Sequence, residues 1–219
     1  MKDVVARLRT ESGQKHGFLT GDFDDPPALE QHMTAHAEKN EPIHILVNNT
    51  GGPASGPLTE TTPDDMMAGL SRHVSCFHRL ARVLVPGMKQ SRYGRIVNII
   101  STSVIQPIKG LGVSNTVRGA VANWGRTLAG ELAPFGITVN NVLPGYTDTE
   151  RLRSLIQKWA NRDGISFDDA LKRSLTAIPA ARLADPGEIA AVVAFLASPA
   201  ASYVNGVNLP VDGGRTAVQ

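Results

Sequence analysis

Small polar residues in this 219-residue sequence recur directly after short apolar runs, where they could bind a ligand. Four places stand out: Asp22, the turn 48–52 (Asn-Asn-Thr-Gly-Gly), the run 101–103 (Ser-Thr-Ser) and the segment 144–149 (Pro-Gly-Tyr-Thr-Asp-Thr). Glycine after a strand lets a ligand approach the backbone closely, and a hydroxyl there can donate to a carbonyl or phosphate oxygen. The four places together predict one binding site assembled from distant parts of the chain.

The elements that must position these residues alternate between strand and helix. Strands are predicted at 43–47, 95–100, 137–142 and 207–211, with a further β-like run at 16–20. Helices are predicted at 2–11, 28–39, 63 to about 90 with an interruption near Pro86, 114–133, within 150–176, and 185–196. Uncharged, β-branched strands between helices are typical of a parallel sheet covered on both faces, which binds ligands at the carboxyl ends of its strands. We therefore expect a single α/β domain over 1–219.

Composition excludes several classes of function. The hydrophobic fraction is 42%, the net charge is only +2, and Cys76 is the one cysteine. Such a chain has no charge block for nucleic acid or an anionic membrane, and it has no disulfide framework or cysteine-rich metal site. No apolar run approaches the roughly 20 residues of a membrane span, and the first residues lack a signal-peptide pattern. We expect a cytoplasmic protein with a small-molecule substrate, no membrane or nucleic-acid partner, and no metal.

The order of several longer motifs resembles the short-chain dehydrogenase/reductase family. These motifs are 48–51 (Asn-Asn-Thr-Gly), 94–101 (Gly-Arg-Ile-Val-Asn-Ile-Ile-Ser), 137–145 (Ile-Thr-Val-Asn-Asn-Val-Leu-Pro-Gly), 185–190 (Asp-Pro-Gly-Glu-Ile-Ala) and 211–214 (Val-Asp-Gly-Gly). The resemblance runs from about residue 16 onward. It implies a Rossmann-like, doubly wound, three-layer α/β/α oxidoreductase that moves a hydride between NAD or NADP and a small carbonyl or alcohol. It also implies a homodimer or homotetramer formed through the long helices.

The same resemblance implies a role for each small polar residue after a strand. Asp22 would bind the adenine amino group, with the Phe23 backbone beside it, and Asn48 and Gly51 would face the nicotinamide ribose. Ser101 would bind the substrate oxygen. The carboxamide and pyrophosphate would be held by Pro144, Gly145, Thr147 and Thr149. Asp22 has a second interpretation, because a carboxylate at this place could instead cap the following helix.

The sequence departs from the family at the catalytic positions. The family places a Tyr and a Lys four residues apart on one helix face, where the ammonium lowers the pKa of the phenol. Here Ser114 stands at the Tyr position, Arg118 at the Lys position and His73 near the family's Asn. A serine hydroxyl is a far weaker acid, whereas Arg118 could anchor the ribose or stabilise an oxyanion. Tyr146 and His73 are the remaining candidates for a relocated acid.

A second departure concerns the start of the fold. The family opens with a strand, a glycine-rich turn and a helix whose backbone N–H groups bind the pyrophosphate. Residues 17–21 imitate only the Thr-Gly ending of that strand, and Asp-Phe-Asp-Asp-Pro-Pro follows. We interpret 16–21 as the family's third strand and predict an N-terminally truncated fold that lacks the first strand-helix-strand unit.

The two departures leave several functions open. One is an oxidoreductase that is impaired in this chain. The others are a non-catalytic remnant or oligomerisation partner, and a non-redox isomerase, lyase or dehalogenase on the same fold. The substrate and the choice between NAD and NADP are not readable from these residues.

Overall fold

The computed structural model describes residues 1–217 and is built around one parallel sheet. Its strands are β1 (Ile45–Asn48), β2 (Gly94–Ile99), β3 (Ile137–Pro144) and β4 (Asn208–Val211). They lie side by side in chain order, and every neighbouring pair is parallel. The predicted parallel α/β sheet is confirmed, and these four strands lie within two residues of their predicted bounds.

The helices follow the predicted pattern except near the amino terminus and within residues 63–90. They are α1 (Lys2–Val5), α2 (Pro26–Ala37), α3 (Pro63–Leu70), α4 (Cys76–Ser91), α5 (Gly112–Leu132), α6 (Glu150–Asp163), α7 (Phe167–Thr176) and α8 (Pro186–Ala197). The predicted helix 2–11 is wrong beyond Val5, and the predicted strand 16–20 is wrong as well. Residues 16–20 are exposed and pair with no strand among residues 1–217, so the local apolar pattern of Phe18 and Leu19 has no sheet to join.

Helices cover the sheet on two faces, as the three-layer prediction requires. The face beneath α2, α4 and α5 holds the larger core, in which Phe77 and Leu80 pack with Ile96 and Val139. On the other face α8 packs against β2, β3 and β4. The side chains of Ile45 and Val47 in β1 nevertheless remain 44% and 41% exposed on that face.

The long helix predicted over 63 to about 90 is two helices joined by a π-helical turn, Ser71–Ser75. Thr62 and Asp65 form a capping box that begins α3. The interruption predicted near Pro86 is wrong, because α4 runs through Pro86 to Ser91. The π turn lies at the buried His73 instead, and such turns add one residue to a helix and occur frequently at functional sites.

Four asparagines form a hydrogen-bonded ladder across the whole sheet. Asn48 Nδ2 donates to Asn98 Oδ1, Asn98 Nδ2 to Asn141 Oδ1, and Asn141 Nδ2 to Asn208 Oδ1, each over 2.8 Å. The four residues are register partners on adjacent strands. Since buried amides need partners and a one-residue slip would turn them to the other face, the ladder stabilises this register specifically.

Candidate functional site

The segments that follow β1, β2 and β3 meet at a cavity of about 730 Å³ at the carboxyl ends of these strands. Eight of the residues predicted from the sequence line it: Gly51, Ser101, Ser114, Arg118, Pro144, Gly145, Thr147 and Thr149. The structure therefore brings together most of the predicted site, from segments up to about a hundred residues apart. Among residues 1–217, no group of three or more metal-binding side chains lies together.

Four predicted site residues do not line this cavity: Asp22, Phe23, Asn48 and His73. The carboxylate of Asp22 accepts from the backbone N–H of Asp24 over 2.8 Å, and Asp25 rather than Asp22 caps α2. The carbonyl of Phe23 accepts a bond from the Cys76 thiol. Asp22 and Phe23 thus lie beside α2 and α4, and the Asn48 side chain belongs to the ladder.

His73 is fully buried in the π-helical turn. Burial, and next the charge of Arg118, lower the pKa of His73 to about 4. Its Nδ1 lies 3.0 Å from the carbonyl of Gly69, so Nδ1 carries the proton and donates it. Nε2 is then a buried acceptor with no partner among the described residues. A neutral imidazole of this kind can accept a hydrogen bond at pH 7 but has no proton to spare as an acid.

Ser101 and Ser114 bring two hydroxyl groups to the cavity. The Ser101 Oγ accepts from the backbone N–H of Ser103 over 3.1 Å where a short 3-10 helix begins, which leaves its own proton available to a ligand oxygen. Ser114 lies on α5 and is 8% exposed. Positions four apart on a helix share a face, so Ser114 and Arg118 face the cavity together, as the sequence predicts.

Arg118 is the buried cation of the cavity, with 8% of its surface exposed. Its Nη1 donates to the carbonyl of Ile99 over 2.8 Å, whereas its Nε has no partner among the described residues. Burial, and next the charge of Arg151, lower the pKa of Arg118 to about 10. The guanidinium therefore remains charged at neutral pH, fixed at the end of β2.

The far wall of the cavity contains Arg151 and Trp159, from the segment 150–176 that was predicted to be helical, together with Tyr146. The rings of Tyr146 and Trp159 lie 6.2 Å apart, and the Arg215 guanidinium lies 5.1 Å from the centre of the Tyr146 ring. Arg151 Nη2 donates to the carbonyl of Pro53 over 3.0 Å, which links α6 to the turn after β1. The signal for these residues was their position just after the third predicted strand.

Comparison with known proteins identifies the family of this chain. Residues 1–216 match a family described as enoyl-(acyl carrier protein) reductase. The chain is also 32% identical over 222 residues to the 3-oxoacyl-(acyl-carrier-protein) reductase of Vibrio cholerae, covering 96% of this chain and 86% of that relative. The chain belongs to the short-chain dehydrogenase/reductase family. The resemblance predicted from the motifs is confirmed at this level.

Solved structures of short-chain dehydrogenases/reductases show the same fold. Levodione reductase superimposes with a TM-score of 0.89 at 26% identity, over 100% of this chain and 84% of that one. A gluconate 5-dehydrogenase from Burkholderia cenocepacia, in complex with NADP and tartrate, superimposes with a TM-score of 0.80 at 29% identity, over 91% of this chain and 74% of that one. The Rossmann-like fold and membership of a family of NAD(P)-using oxidoreductases are thereby shown. Among residues 1–217, no helix has the length and hydropathy to cross a membrane.

The residues of the cavity fit one half of a nicotinamide dinucleotide better than the other. Thr147 and Thr149 offer hydroxyls, a side chain at Gly51 would meet open space, and Arg118 lines the cavity as a cation. The diphosphate half is different, because no strand among residues 1–217 leads into a glycine-rich turn that opens a helix. These residues can hold the nicotinamide and its ribose.

Proposed function

We propose that this short-chain dehydrogenase/reductase takes part in hydride transfer between NAD or NADP and a small carbonyl or alcohol, with Ser101, Ser114 and Arg118 at the reacting oxygen. One observation carries the proposal. These three side chains meet the segment 144–149 at a single cavity beyond the carboxyl ends of the strands. In an open α/β sheet this is where ligands bind.

The chain's own residues supply polarisation and positioning. The nicotinamide group, when bound, supplies or accepts the hydride. The Ser101 hydroxyl donates a hydrogen bond to the substrate oxygen, because in its contact with the Ser103 backbone N–H it acts as the acceptor and keeps its own proton available. Arg118 stabilises negative charge that develops on that oxygen, because a permanent cation in a largely buried place acts strongly on a nearby oxyanion. His73 stays neutral and accepts a hydrogen bond next to Arg118.

The source of the proton distinguishes this site from the usual one. Ser114 is a poor acid in comparison with a phenol, whose pKa is about 10. Tyr146 is the phenol that lines the cavity, whereas Tyr93 and Tyr203 do not. We assign the proton relay to the Ser114 hydroxyl beside Arg118 and treat Tyr146 as the alternative donor. Ser114→Tyr is then expected to raise turnover, and Tyr146→Phe to leave it within about threefold. A larger loss with Tyr146→Phe would move the role to Tyr146.

We further propose that the fold lacks the first strand-helix-strand unit within residues 1–217 and that activity is impaired for that reason. The observations behind this are the four-stranded sheet that starts at β1 and the exposed apolar side chains of Ile45 and Val47. A homodimer or homotetramer and a cytoplasmic location remain our predictions from the resemblance and the composition.

A fluorescence titration with NADH and NADPH tests the cofactor half of the proposal. We expect millimolar binding or none, because the diphosphate has no cradle here. Micromolar affinity would contradict that expectation. At saturating cofactor, Arg118→Ala is expected to abolish reduction of small ketones, whereas Arg153→Ala serves as the control because Arg153 pairs with Asp148 outside the cavity. Equal rates for the two variants would remove Arg118 from the site.

A further inference from the structure

The charge of the cavity wall is one-sided. Arg118 and Arg151 both line it, and no Asp or Glu of the described chain does. The remaining polar groups are hydroxyls and amides, such as those of Ser101, Thr147 and Asn49. A ligand in this cavity therefore meets two positive charges with no negative charge among its lining residues.

The two guanidiniums differ from several arginines elsewhere in the fold. Arg72, Arg79, Arg153 and Arg182 each form an ion pair with a carboxylate. Within residues 1–217, Arg118 and Arg151 are held by backbone carbonyls, those of Ile99 and Pro53. A neutral carbonyl fixes the direction of a guanidinium without neutralising its charge. Both charges thus stay available to an anion, and both are positioned in advance of binding.

Burial makes this arrangement costly without an anion. Arg118 is more than nine-tenths buried, and its Nε donor has no partner among the described residues. The positive charge of Arg151 lies near enough to disfavour the positive charge of Arg118. An unpaired buried donor and an unpaired buried charge each raise the free energy of the folded state. A carboxylate between the two groups would offset the repulsion, because it accepts guanidinium hydrogen bonds at two oxygens.

We infer that the substrate is an anion, a small 2-hydroxy or 2-oxo acid. Its carboxylate binds between Arg118 and Arg151, and because the reacting oxygen is on the neighbouring carbon, Arg118 faces that oxygen as well. This inference rests on the proposed function, because only that function makes the bound anion the substrate. The hydroxyl of Ser101 and the rings of Tyr146 and Trp159 then surround the uncharged part of the acid. The same anionic chemistry is available from a cofactor diphosphate, so the experiment includes that source.

Direct binding by calorimetry, without cofactor or turnover, tests the inference. The probes are gluconate, its uncharged six-carbon counterpart glucitol, and inorganic pyrophosphate. We expect gluconate to bind at least tenfold more tightly than glucitol and more tightly than pyrophosphate. We expect Arg151→Met to weaken gluconate binding at least tenfold, with Arg153→Met as the matched control that leaves it unchanged. Arg118→Lys, which keeps the charge in the buried position, should weaken it less than Arg118→Met.

Three results would overturn the inference. They are equal affinity for gluconate and glucitol, equal losses in Arg151→Met and Arg153→Met, and tighter Arg118- and Arg151-dependent binding of pyrophosphate than of gluconate. The last result would assign the two charges to a cofactor diphosphate. The outcome is separable from the proposed function. Carboxylate binding without any nicotinamide-dependent turnover would refute the proposed function alone, and equal turnover of neutral ketones and oxo acids would refute the anion site alone.

Discussion

Gly125 in α5 lies directly over the asparagine ladder, and this contact gives a quantitative prediction for Gly125→Ala. A Cβ at Gly125 would stand 2.8 Å from Asn141 Oδ1 and 2.9 Å from Asn98 Nδ2, the two atoms that bond to each other in the ladder. Both asparagines are fully buried. Two buried polar groups that lose their partner cost about 2 kcal/mol each. Alanine regains about 1 kcal/mol of helix propensity, so the expected net loss is about 3 kcal/mol.

The assay is urea denaturation followed by far-ultraviolet circular dichroism, with Gly119→Ala as the control. Gly119 lies on the same helix, and a Cβ there meets no atom within 4 Å, so the control is expected to be neutral or up to about 1 kcal/mol more stable. In a thermal melt of the same variants, a loss of about 3 kcal/mol corresponds to a melting temperature lower by roughly 6 to 12 °C in a chain of this size. If Gly125→Ala proved as stable as Gly119→Ala, the ladder would not constrain the packing of α5 as we argue.

Two further predictions concern buried titratable groups. The pKa of His73 is about 4 in the folded chain, so the unfolded chain binds more protons as the pH falls from about 6.5 to 4, and the free energy of unfolding drops in that window. Between pH 7 and pH 5 this loss amounts to about 2 kcal/mol, and we expect it to be absent in His73→Asn when both proteins are unfolded with urea at the two pH values. If the free energy of unfolding fell equally in both proteins, His73 would not be the group responsible. Burial raises the pKa of the Cys76 thiol to about 11, and its sulfur is inaccessible, so Ellman's reagent is expected to react only in denaturant. A stoichiometric reaction with the folded protein would show that the contact between α4 and Phe23 opens readily.

The strands were predictable because runs such as 95–100 and 137–142 are nearly uncharged and rich in β-branched residues, which is typical of strands buried on both faces. The run 16–20 carries a similar local signal, but whether a strand forms depends on a pairing partner elsewhere in the chain. The π-helical turn had no signal of its own. Pro86 carried a strong signal that packing overrides, because its neighbours Leu84 and Met88 are buried in the core.

In the candidate site, too, some residues were predictable from local spacing and others were not. Ser114 and Arg118 were predictable as a pair because helical spacing alone places them on one face. Asp22 was not, because its position depends on how residues 6–25 pack against α2 and α4. Arg151 was not predictable in its role, since that role depends on a carbonyl of Pro53 that lies far from it in the chain. Local periodicity predicts which groups share an element, and tertiary packing decides which elements meet.

The additional residue in the turn Ser71–Ser75 limits changes of chain length in this segment. Each residue of an α-helix advances the chain by about 100°, so deleting one residue here would rotate α3 and α4 against each other by that angle. Either the buried stripe of α4 with Phe77 would leave the sheet, or another side chain would replace Gly69, where a Cβ would lie 2.7 Å from Val113. Substitutions between Thr62 and Phe77 are thus expected to be tolerated more readily than insertions or deletions there.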